Sequence, residues 1–92
     1  MTSKVKIKKI PYKFVHVFWL DITSDSSWRS IEDVKEENLP RCLSTGFLIS
    51  EEDADIIRLV SDFNFKEDGS IDECGNSTII PKSVVIEIKE VS

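Results

Sequence analysis
Residues Trp19-Leu20-Asp21-Ile22-Thr23-Ser24-Asp25-Ser26-Ser27-Trp28-Arg29 hold the densest set of binding chemistry in the chain. Asp21 leads into a run of hydroxyls that closes on an indole and a guanidinium. Together these supply hydrogen-bond acceptors, small donors, a flat π surface and a cation within one short segment, the parts needed to hold a nucleotide. Stacking a base on an aromatic ring contributes about 1–3 kcal/mol, and an arginine–phosphate pair adds a charge-assisted bond. The same residues also admit a purely structural role, with Trp28 plugging one end of a barrel and Asp21 capping a turn. Lys82, in Ile80-Pro81-Lys82-Ser83, is a second candidate cation because the proline-fixed turn places it at a strand corner.

Catalytic chemistry is hard to assemble from the remaining residues. His16 is the sole histidine and sits among apolar neighbours, which reads as a core or interface position rather than a general base. Cys42 and Cys74 lie far apart and neither adjoins His16 in sequence, so a Cys–His nucleophile has no local support. Two cysteines are too few for a zinc site or a disulfide framework. Carboxylates fall mostly in runs such as Glu36-Glu37 and Glu51-Glu52-Asp53, typical of solvated surface. No glycine-rich phosphate loop is present, and Asp68-Gly69-Ser70-Ile71-Asp72 lacks the ligand spacing of a calcium loop. The expectation is a binding protein rather than an enzyme, with no metal or cofactor.

The elements that position these residues read as β-rich. Residues 4–10 alternate lysine with Val or Ile and suggest a strand, interrupted by Pro11. Tyr12 to Ile22 is rich in aromatic and β-branched residues and reads as a central strand. Residues 23–27 form a polar loop, and Ser30 with Asp33 resembles a capping box opening a short helix over residues 31–37. Cys42 to Ile49 reads as a strand with Gly46 at a bend or a close backbone approach. Glu51 to Ala54 suggests a turn, and Asp55 to Phe65 a returning strand, although an amphipathic helix over 51–63 fits the spacing too. Lys66 to Ser70 is turn chemistry, with a loop continuing over Asp72 to Ser77. Ser77 to Ile80 and Val84 to Val91 complete the chain around the Pro81-Lys82-Ser83 turn. The predicted fold is mainly β, a small, strongly bent five- or six-stranded antiparallel sheet or an SH3/Sm-like barrel with one short helix.

Three stretches resemble a family of small phage proteins. They are Trp19 to Trp28, Ser44 to Ile49 (Ser-Thr-Gly-Phe-Leu-Ile) and Ile80 to Ile88 (Ile-Pro-Lys-Ser-Val-Val-Ile-Glu-Ile). The chain is similar in these motifs to phage anti-CBASS sponge proteins, immune-evasion proteins that sequester a cyclic nucleotide defence signal such as cyclic GMP-AMP in a homotetramer. The resemblance implies binding without cleavage, in the cytoplasm of an infected bacterial host. It also implies roles at matching positions: Trp28 for stacking, Arg29 and Lys82 for phosphate, and Asp21, Ser24 and Thr45 for polar orientation. The lysine-rich start and the Asp62 to Asn76 stretch depart from the compact pattern of that family. The alternative is an Sm- or SH3-like module binding RNA or a host protein.

Size and charge narrow the field further. With 92 residues, the chain is read as one domain over 1–92, with a thin core that gains from oligomerisation. No apolar run reaches the ~20 residues of a membrane span, and the basic start alternates instead of running apolar like a signal peptide. The net charge is −5, yet residues 1–13 carry five lysines and no acid, leaving 7 basic and 17 acidic residues, net −10, in the rest. An acidic body disfavours duplex DNA, whose phosphates supply most nonspecific affinity. Lysines beside Val5 and Ile7 also protect an edge strand from foreign pairing.

Overall fold
In the computed structural model, residues 7–50, 52–53 and 55–91 are described. Five antiparallel strands form one sheet: β1 (Phe14–Leu20), β2 (Arg41–Ser50), β3 (Ile56–Phe65), β4 (Ile71–Pro81) and β5 (Val85–Glu90). Among the described residues a single short helix, α1 (Ile31–Glu36), interrupts the connection from β1 to β2, and a 3-10 turn (Lys82–Val84) links β4 to β5. The strand order is β4-β3-β2-β1-β5. The first four strands thus form a meander, and β5 returns to the free side of β1.

That return forces curvature. Crossing four interstrand spacings on a flat sheet requires about 19 Å, whereas the link from Pro81 to Val85 reaches at most about 14 Å. The sheet therefore curls, and its inner face becomes the core. Val15 and Val17 of β1, Leu48 of β2, Ile57 and Leu59 of β3, and Ile80 of β4 form one buried cluster, flanked by Trp19, Val84 and Val85. Register explains the membership. Val17 lies opposite Ser44, Leu48 opposite Leu59 and Ile57 opposite Ile80, so these pairs share one face of the pleat. The strands remain an open, strongly bent sheet with β4 and β5 as edges, so the closed-barrel form of the expectation is not realised.

Gly46 is required by a close approach. A Cβ there would meet the Val60 carbonyl oxygen at 2.9 Å and the Leu59 Cβ at 3.3 Å. The β3–β4 hairpin turns over Lys66 to Ser70, where Lys66 N–H donates to the Ser70 carbonyl at 2.8 Å and Gly69 adopts φ 87°. A positive φ of this kind favours glycine.

Several sequence expectations are corrected. Asp72 to Ser77 is not a loop but the first half of β4, paired through Phe63 with Cys74 and Asp62 with Gly75. This part of the hairpin extends beyond the core, so backbone pairing sustains it where apolar alternation is absent. Side chains assist, as Glu73 N–H donates to Asn64 Oδ1 at 2.7 Å. Residues 7–10 carry no strand; the rest of the expected 4–10 strand lies outside the described residues. The Lys8 N–H donates to the Gly69 carbonyl at 3.0 Å, and Pro11 has no N–H to extend a ladder. The 51–63 ambiguity resolves to strand from Ile56, and Asp53 Oδ1 caps its start by accepting from the Asp55 and Ile56 amides at 2.9 and 3.3 Å. Residues 51 and 54 of the expected turn lie outside the described residues. Among the described residues, no helix is long and apolar enough to cross a membrane.

Candidate functional site
The connection from β1 to β2, residues 21–40, projects as an arm from one end of the sheet. Its root is closed where Asp21 N–H donates to the Pro40 carbonyl at 3.0 Å, one step beyond the Leu20–Arg41 pair. Asp25 Oδ1 then accepts from the Ser27 amide at 2.8 Å, turning the chain just before Trp28. The expected cap is present: Ser30 Oγ accepts from the Asp33 amide at 3.1 Å and starts α1.

Arg29 organises this arm from within. Its Nη1 donates to Glu37 Oε2 and lies 3.7 Å from Asp25 Oδ2, while Nη2 lies 3.4 Å from the Asp33 carbonyl. The hydrogen bond to Glu37, reinforced by the charges of Glu37 and Asp25, raises the Arg29 pKa. Hydrogen bonds from Ser27, with a smaller contribution from the Arg29 charge, hold Asp25 below the usual carboxylate range. Arg29 is thus committed to two carboxylates and a carbonyl, which works against the expected role as a phosphate ligand.

Apolar side chains on the arm face outward. Trp28 is 103% exposed and Ile22 84%, with Ile31, Val34 and Leu39 also exposed. Helix α1 buries none of its residues. A helix this short has little stability of its own, so the Ser30 cap and the Arg29 links are what hold it together. The structural role weighed for Trp28, a plug at a barrel end, is overturned by its complete exposure.

The other expected site residues are partly gathered here. Ser24 is exposed on the arm. Asp21 sits at the root, where its Oδ1 accepts from the Ile22 amide at 2.8 Å. Lys82 precedes β5, whose first residue Val85 lies opposite Trp19, so it shares the arm's end of the sheet. Thr45 does not join them. It lies opposite His16, four residues along β2 from Arg41, or about 14 Å. There its Oγ1 lies 2.9 Å from His16 Nδ1. His16 is accordingly a half-buried residue of the outer sheet face and not part of the core cluster.

Sequence reading missed a groove at the arm's root. It has a volume of about 520 Å³ and is lined by Phe18, Leu20, Arg41, Cys42, Ile86 and Glu87. Arg41 makes no ion pair among the described residues. Its position directly after Pro40 was the available signal, but only the fold shows that it borders an apolar surface. Tyr12, Phe63, Phe47 and Phe14 form a row with successive ring centroids 6.1, 5.2 and 4.9 Å apart. Both cysteines are free, Cys42 on β2 and Cys74 on β4 with β3 between them. No family model, curated protein or solved structure matches the chain.

Proposed function
We propose that this chain is a phage immune-evasion protein that captures a cyclic nucleotide signal, such as cyclic GMP-AMP, and holds it intact in a homo-oligomer, specifically a homotetramer. The reading places it in the cytoplasm of an infected bacterial cell. The observation that carries it is the complete exposure of Trp28 on an arm whose flanking residues are fixed by Asp25, Arg29 and Ser30. An indole held in this way offers a base a stacking surface at a small ordering cost.

Positive charge for the phosphates comes from Lys82 and Arg41 at the root, because Arg29 is engaged within the arm. Ser24 and Asp21 remain available for polar orientation, whereas Thr45 lies too far along β2 for one small ligand to span easily. Calorimetry with a panel of cyclic dinucleotides tests the reading. Saturable binding that is lost in Trp28→Ala, with the ligand recovered chemically unchanged, supports it. Recovery of a cleaved nucleotide contradicts it and indicates an enzyme.

The aromatic row favours a second reading, a module that binds single-stranded RNA. A row of half-buried rings with the exposed Phe14 at its end suits stacking of unpaired bases, and lysines at the chain start suit phosphates. Steep salt dependence and loss of RNA binding on removing residues 1–9 distinguish it from the first.

A further inference from the structure
The arm and the opposite end of the molecule are complementary. Residues 21–40 carry six acids and two bases, a net charge of −4, alongside the exposed Ile22, Trp28, Ile31 and Val34. At the other end of β1, Lys9, Pro11 and Tyr12 border two adjoining hollows. One, of about 450 Å³, also includes Lys13 and Glu90; the other, of about 340 Å³, includes Lys8 and Ile71. Lys8 lies 4.0 Å from Asp68, while Lys9 and Lys13 make no ion pair among the described residues. One surface is therefore apolar and acidic, the other apolar and basic.

These surfaces belong to opposite ends of the same strand. The arm leaves β1 after Leu20, and the basic groove precedes Phe14, about 20 Å away along the seven-residue strand. With its root closed by the Asp21–Pro40 hydrogen bond and α1 burying nothing, the arm extends away from its own groove. A second copy can supply the groove that its own chain cannot.

From this arrangement we infer that the arm of one protomer docks into the Lys9–Tyr12–Lys13 groove of another. The contact covers Ile31 and Val34 and sets the acids of α1 against lysines. It also brings Trp28 beside the basic end of the second copy, adding to the cations at the arm's root. The inference rests on the homo-oligomer part of the proposed function and does not depend on which ligand is bound.

Complementary charge reversal in the full-length chain tests this. Glu32→Lys/Glu36→Lys takes the arm to neutral and turns α1 from a net charge of −2 to +2, and Lys9→Glu/Lys13→Glu makes the groove acidic; none of these side chains lies in the core. Sedimentation velocity at low salt is expected to show the unaltered chain associating and each variant alone associating at least tenfold more weakly. An equimolar mixture of the two variants should recover association, because every α1 then meets a groove of opposite sign. Undiminished association of both variants overturns the docking mode while leaving oligomerisation intact. An unaltered chain that stays monomeric overturns both. Recovery in the mixture without any nucleotide binding sustains the docking mode and counts against the sponge.

Discussion
Arg29 and Glu37 are joined across α1, the guanidinium on its N-terminal side and the carboxylate just past its last turn. This link, with Asp25 beside the same guanidinium nitrogen, gives the arm internal order despite its lack of contact with the core. Arg29→Ala is expected to loosen the arm without unfolding the sheet. Amide exchange of Val34 and Glu37, whose N–H groups donate to Ser30 and Val34 carbonyls, should accelerate, while the thermal midpoint stays close to that of the unaltered chain. A large fall in the midpoint contradicts a role confined to the arm.

Trp28→Ala separates binding from folding. The side chain is fully exposed, so its removal should change stability by no more than about 0.5 kcal/mol. Nucleotide affinity should fall at least tenfold, the equivalent of about 1.4 kcal/mol and within the range of one lost stacking contact. Thermal melting and calorimetry on the same sample check both parts.

Acid should release the arm before the core. Asp25 has a lowered pKa in the folded chain, so its contribution is complete above the ordinary carboxylate range near pH 4 and is lost as pH falls through the lower folded value. Protonating Asp25 removes one of the two acids facing Arg29. Fluorescence of Trp28 should therefore change on acidification below about pH 4, while far-ultraviolet sheet signal persists. An Asp25→Asn variant should show that fluorescence already at neutral pH.

The core is thin, so single changes in it matter. Ile57→Ala, at a position 2% exposed, should cost about 2–5 kcal/mol. Gly46→Ala should cost about 1–3 kcal/mol, because its new methyl meets backbone at 2.9 Å. Chemical denaturation of each variant measures the loss, and wild-type stability in Gly46→Ala contradicts the close β2–β3 approach.

Strands with one apolar face were readable from sequence. Val15 and Val17 alternate with half-exposed neighbours, and the aromatic, β-branched content of β1 marked it as central before its two partners were known. The Ser30 cap was equally legible, because capping is local chemistry. The first half of β4 was not, since Asp72, Glu73 and Asn76 are exposed and their order comes from pairing with β3. Around the arm, residue types were visible but their partners were not. Arg29 reads as an available cation until Glu37, eight residues on, is found beside it. Arg41 reads as a surface residue until the sheet sets it beside Phe18 and Ile86.

The most direct measurement is calorimetric titration of the full-length chain with cyclic GMP-AMP and related cyclic dinucleotides, followed by denaturation and chemical identification of the released ligand. The account predicts saturable binding of at least one of them, loss in Trp28→Ala, and recovery of the intact cyclic compound. No binding of any cyclic dinucleotide at micromolar concentration, or binding indifferent to Trp28, contradicts it.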